Sequence, residues 1–346
     1  MPAEIDVLVV GAGQAGLAMG YELTQAGLDF LIVDGAAEVG QSWRRRWDSL
    51  RLFTPARYSS LPGLAFPAPA THLPDKDEVA AYLADYARHF ALPLRLDAGV
   101  RELRRADGGR FEAVTDRGIL TAKSVVVATG PFQTPAVPAF ANQLPPEILQ
   151  VHTAHYRNPD QLPDGPVLVV GAGNSGVQIA GELARTRTVT LAVGTRQPAL
   201  PQRFLGRDLF SWLDRLGVMR VPAQSRLGRR MRERDPLIGT SLRDLERQGV
   251  RLTGRVTADG SRVDATTIVW ATGYRPDYAW LTVPDSVGAN GEPRHNAGVS
   301  PIPGLYYLGL PYQRTRGSAL LGWVGHDATH LMDHLAARRS TAPTAS

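Results

Sequence analysis

Two six-residue loops carry the chemistry legible in this sequence: Gly11-Ala12-Gly13-Gln14-Ala15-Gly16 and Gly171-Ala172-Gly173-Asn174-Ser175-Gly176. In each, the first glycine permits a tight turn, the second lets backbone approach a pyrophosphate, and the third lets a helix pack on a strand. The N–H groups and positive dipole end of a following helix then hold the phosphates. Asp34, 18 residues past Gly16, is placed to accept hydrogen bonds from both ribose hydroxyls of an adenosine. The matching place after the second loop has no carboxylate and reads Gly194-Thr195-Arg196. A carboxylate there would repel a ribose 2′-phosphate, whereas Arg196 can pair with it and Thr195 can donate to it. Two dinucleotides in one chain are expected, with NADPH preferred over NADH at the second loop. The alternative is that Arg196 simply faces solvent.

Such loops need a buried strand before them and a helix after. Ile5 to Val10 supplies the first strand, Leu17 to Ala26 a helix ended by Gly27, and Phe30 to Val33 the next strand. The second unit repeats this with Val167 to Val170, Val177 to Ala184 and Val189 to Val193. Two more apolar runs end alike, in Ala128-Thr129-Gly130 and in Ala271-Thr272-Gly273. Small residues there suit a backbone that passes close to a cofactor or crosses between domains. The fold class is therefore α/β with two Rossmann-like dinucleotide-binding domains. The first is expected to be discontinuous, 1–160 plus 274–346, with the second, 161–273, inserted into it. Pro159 to Pro166 reads as a linker and Arg338 to Ser346 as a disordered tail.

Composition narrows the function. The chain has 346 residues, 21 % of them charged, and no cysteine. Disulfide reductases share the two-dinucleotide layout but need a redox-active cysteine pair, so that activity is excluded. No window approaches ~18 uninterrupted apolar residues and no signal peptide is apparent, so a cytoplasmic protein with no membrane partner is expected. The net charge of +5 is modest, and Arg44-Arg45-Arg46 and Arg229-Arg230 read as solvated surface rather than a nucleic-acid site.

These elements in this order resemble the class B flavin-dependent monooxygenases, over nearly the whole chain. Gly40-Gln41-Ser42-Trp43 looks like that family's flavin-contacting segment, which implicates Gln41 and Trp43. Asp48 to Gly63 (DSLRLFTPARYSSLPG) and Arg316 to Asp327 (RGSALLGWVGHD) resemble bacterial members associated with arsenic-resistance and cation-efflux loci. Leu305 to Gly309 looks like the late flavin-binding strand, and Val100 joins Gly309 among the implied flavin contacts. His152-Thr153-Ala154-His155-Tyr156 supplies half of the family fingerprint, with Pro146 and Ile148 where its Phe and Gly would stand. That half favours heteroatom oxygenation over ketone insertion. A flavin-side asparagine of many members is replaced by Phe53, with Thr54 as a substitute donor.

The resemblance implies FAD at the first loop and NADPH at the second. It further implies hydride transfer to the flavin, a C4a-hydroperoxyflavin formed with dioxygen, and a small soft nucleophile (S, N or As) as substrate. Two rivals stay open: an NADPH oxidase or reductase passing electrons to oxygen, a quinone or a protein, and a non-catalytic redox sensor. A homodimer is also left open.

Other signals carry less. His326, His330 and His334 have metal-compatible helical spacing but read as a polar helix face, so no metal is expected. His326 is a second candidate near the flavin. His152 and His155 read as structural before catalytic, and Trp47 as core. Leu200 to Arg234, rich in arginine and helical in pattern, reads either as a lid over the substrate entrance or as a helix packed on its domain.

Overall fold

The computed structural model describes residues 5–233, 236–256 and 264–341. Its two larger sheets are built around the two glycine loops. The first runs in the order Leu94–Arg95, Phe30–Val33, Ile5–Val10, Gly118–Val127, Phe111–Thr115, Val100–Arg105. Ile5–Val10 lies at its centre, parallel to both neighbours and fully buried from Val7 onward, which is why Val7 to Val10 are all apolar. Gly118–Val127 is shared lengthwise. Its first half pairs with Phe111–Thr115, while Val125 to Val127 pair with Leu305–Tyr307.

The second sheet runs Arg251–Thr253, Val189–Ala192, Val167–Val170, Thr267–Trp270, Leu149–His152, all parallel. Leu149–His152, which a boundary at 160 assigns to the first domain, is thus an edge strand of the second sheet. Its sequence is too short and too exposed at Leu149 and Gln150 to announce that pairing.

Helix Gln14–Gln25 packs on the first sheet and on the C-terminal helix Val324–Thr341. Helix Lys76–His89 starts with a capping box between Asp75 and Glu78. The expectation of a disordered tail from Arg338 needs correction, because the C-terminal helix includes Arg338 to Thr341; residues 342–346 lie outside the described residues. The helical expectation for 200–234 also needs correction. Arg203–Phe204 and Arg207–Asp208 form an antiparallel hairpin, turned by Leu205 and Gly206 at φ +49° and +73°. Helices Leu209–Arg215 and Arg226–Glu233 follow, and Arg234 lies outside the described residues.

Candidate functional site

The two glycine loops are built bond for bond alike. Gly11 N–H donates to Val33 O (2.7 Å) and Gly171 N–H to Ala192 O (3.0 Å). Ala128 N–H donates to Val10 O and Ala271 N–H to Val170 O, each at 2.8 Å. Gly11 and Gly171 have φ of +111° and +108°, and a Cβ on either would strike the carbonyl of Ala128 or Ala271. A Cβ on Gly16 or Gly176 would lie 1.8 or 1.9 Å from the carbonyl oxygen of Gly11 or Gly171. A Cβ on Gly13 or Gly173 would instead meet nothing within 4 Å. Each loop is closed against its own fold and open at the one glycine where a pyrophosphate approaches. Gly13 and Gly173 cap their helices with no side-chain hydrogen bond, leaving the first-turn N–H groups to a ligand. Both cradles fit a dinucleotide.

Their surroundings differ. Asp34 Oδ2 accepts from Ala12 N–H (2.6 Å) and Oδ1 from Ala36 N–H (2.7 Å), so the carboxylate is fixed beside the loop. Ala98 N–H donates to Asp34 O (2.8 Å), which brings the start of strand Val100–Arg105 alongside. Gly40, at φ +84°, packs on the backbone of Ala80 and opens the short helix holding Gln41 and Trp43. Gln14 Nε2 donates to Ala319 O (2.9 Å), and a Cβ on Gly309 would lie 2.7 Å from that of Ala15. The loop before the C-terminal helix therefore rests on the first turn of the first helix. Thr129 accepts from Gln133 Nε2 (2.9 Å).

At the second cradle Thr195 and Arg196 are exposed past the strand end. Arg255, which the sequence reading missed, stands beside them: a Cβ on Gly194 would lie 3.6 Å from its Nε. The neighbouring strand, Arg251–Thr253, is too short and polar to have signalled this. Asn174 is engaged, accepting from Ile238 N–H (3.0 Å). Ser175 is half-buried beside it.

An aromatic group joins the two units, and it too escaped the sequence. The rings of Phe53 and Phe210 stack at 5.9 Å, Tyr58 and Trp323 stack at 5.7 Å, and Phe210 tilts against Trp323 at 6.2 Å. Gln202 Nε2 donates to Phe53 O (2.8 Å). Thr54 is buried, its hydroxyl held by Ser59 Oγ at 3.2 Å.

The crossover between units is a short ribbon, Thr134–Pro135 against Tyr274–Arg275, which follows Thr272 and Gly273. His152 closes it: Nε2 donates to Gly273 O (2.9 Å), Nδ1 accepts from Ala154 N–H (3.1 Å), and the ring meets Tyr274 edge-on. Tyr156 is buried and donates to Glu182 Oε2 (2.8 Å). Both are packed into the join, and Trp47 is core. His326 is exposed, and no group of three metal-capable side chains occurs among the described residues.

Burial pushes the imidazoles of His152, His295 and His330 below their ordinary value near 6.5. Below that pH the unfolded chain takes up protons that the folded chain refuses, so stability falls as the pH drops. The melting temperature is expected to decline between about pH 7 and about pH 5; a flat profile would contradict neutral buried rings.

A sequence model of the pyridine nucleotide-disulphide oxidoreductase family matches residues 8–309. The chain belongs to that family. Flavin-dependent monooxygenases are among its relatives. A CzcO-like oxidoreductase of Geobacillus kaustophilus, itself uncharacterised, is 45 % identical, with 96 % of this chain and 98 % of that one covered. Indole-3-pyruvate monooxygenase YUCCA1 of Oryza sativa subsp. japonica is 28 % identical, with 90 % and 88 % covered. The solved structure of a flavin-containing monooxygenase from Stenotrophomonas maltophilia matches with a TM-score of 0.80 at 29 % identity, covering 96 % and 98 %. The resemblance to flavin-dependent monooxygenases and the two-dinucleotide fold both hold. The likeness to these monooxygenases supports binding of flavin and a pyridine nucleotide and flavin-dependent oxygenation in general. The disulphide chemistry in the family's name finds no cysteine here.

Proposed function

We propose that the chain is an NADPH-dependent flavin monooxygenase acting with dioxygen on a small soft nucleophile such as a thioether, amine or organoarsenical. The observation that carries this is the pair of matching cradles whose units meet at one aromatic group. FAD lies along Gly11 to Gly16, with Asp34 on its ribose and Gln41, Trp43, Val100, Ala128, Thr129, Gly130 and Gly309 around it. NADPH lies along Gly171 to Gly176, with Thr195 and Arg196 at the 2′-phosphate and Ala271, Thr272 and Gly273 at the crossover. Bound flavin supplies hydride acceptance and oxygen activation. The chain's own work is to orient both nucleotides and, through Phe53, Tyr58, Phe210 and Trp323, to keep water from the reacting face.

A second reading, an NADPH oxidase or reductase, draws on one feature. The Phe53 side chain offers no hydrogen bond, and Thr54 is buried, its hydroxyl accepting from Ser59 Oγ. The retained second cradle counts against a passive sensor, which needs no hydride donor. Rapid mixing of the NADPH-reduced protein with oxygenated buffer separates the readings. A transient flavin absorbance distinct from the oxidised and reduced forms, prolonged by NADP, is expected; direct return to oxidised flavin with stoichiometric peroxide would favour the oxidase.

A further inference from the structure

The stretch 203–233 holds eight arginines against Asp208, Asp214 and Glu233. That surplus of five equals the formal net charge of the entire chain, so the remaining residues balance to zero. Half of these arginines are on one helix, Arg226–Glu233, where Arg226, Arg229, Arg230 and Arg232 are all exposed and none is ion-paired among the described residues. The same stretch carries four of the eight large apolar side chains most open to water among the described residues: Phe204, Leu205, Leu216 and Leu227. Leu205 is 74 % exposed and Phe204 53 %, at the tip of a hairpin flanked by Arg203 and Arg207. Behind the tip, Trp212 donates its indole N–H to Phe204 O (2.9 Å), and Arg207 sits over its ring.

The inner side of this stretch is anchored. Phe210 and Met219 pack with Trp323, Gly317 N–H donates to Met219 O (3.0 Å), and Ala223 N–H donates to Arg314 O (2.9 Å). It is therefore a strap tied across both units, with its apolar tip and its arginines turned outward. Apolar residues held open to water are costly unless something covers them. Arginine rims around an apolar wedge match the boundary between anionic headgroups and acyl chains, whereas a nucleic acid would call for polar groups at the tip.

We propose that the strap is a membrane-docking surface for anionic phospholipid, with Phe204 and Leu205 entering the acyl boundary and the arginines meeting headgroups. The protein would lie on the membrane without spanning it, its aromatic site under the strap facing the lipid. This replaces the solvated-surface reading of Arg229-Arg230 and the expectation of no membrane partner, and it does not depend on the chemistry proposed above.

Flotation of the full-length, flavin-loaded protein with vesicles tests it. The protein is expected to float with an equal mixture of phosphatidylcholine and phosphatidylglycerol, to stay behind with phosphatidylcholine alone, and to be released by high salt. Each arginine removed should weaken partitioning about fivefold, and F204S/L205S together by at least about tenfold, with flavin content and NADPH consumption unchanged. Should the core of the strap resent the double change, R229Q/R230Q tests the strap's charge on an exposed helix alone. The proposal is overturned if wild type ignores the anionic vesicles, or if both double variants float like wild type. It is equally overturned if the exposed tip turns out to hold two copies together in sedimentation, or if short duplex DNA displaces the lipid.

Discussion

Gly16→Ala is expected to yield colourless protein. The added Cβ would sit 1.8 Å from Gly11 O, a backbone atom that cannot swing aside as a flexible side chain can. Either the helix Gln14–Gln25 lifts away from the strand or the loop opens, and both displace the N–H groups that hold a pyrophosphate. Overpacking of this kind costs about 1–3 kcal/mol in a deformable core, and a backbone collision belongs at or above the upper end. The measurement is the ratio of flavin to protein after purification, with melting temperature alongside. Gly176→Ala makes the equivalent collision, 1.9 Å from Gly171 O, in the other unit. That protein should remain yellow and lose saturation by NADPH. The reverse pattern, with flavin lost from Gly176→Ala and kept in Gly16→Ala, would show that the two cradles had been assigned the wrong way round.

Arg196→Ala should raise the KM for NADPH about ten- to a hundredfold and leave that for NADH nearly unchanged. A hydrogen bond to a charged group is worth about 1.5–3 kcal/mol, which is that factor. Arg255→Ala should act in the same direction, because its side chain lies beside Gly194 at the end of the adjoining strand. The two effects need not add, since both arginines would share one dianionic phosphate. Equal losses for both nucleotides would mean that these side chains support the loop and do not read the phosphate.

The cradles were legible in the sequence because a turn, a close approach and a helix contact each demand glycine at a fixed spacing, and an unbroken apolar run, Val7 to Val10 or Val167 to Val170, leads into each. The acid at Asp34 and its absence at Arg196 were legible for the same reason: each stands where a parallel strand ends. Arg255 was not, since its strand has three residues and one apolar side chain. Nor was the aromatic group, which assembles residues from positions 53, 58, 210 and 323; no local period links them. The strap misled in a different way. Leu205, Leu209 and Trp212 keep helical spacing, but the Leu205-Gly206 turn overrides it before Leu209.

The placement of Leu305–Tyr307 against Val125 to Val127 has a consequence for how the molecule is made. Every strand of the second sheet lies between positions 149 and 270, so a chain emerging from the ribosome can close that sheet while the first still lacks a member. The first sheet waits for a partner some 180 residues downstream, and the C-terminal helix that covers its first helix comes later still. The second nucleotide's cradle can thus be finished before the first one's, although the first is synthesised earlier. Flavin capture then becomes the closing event of maturation, and a chain cut short before position 305 would carry a finished second sheet and no lasting colour.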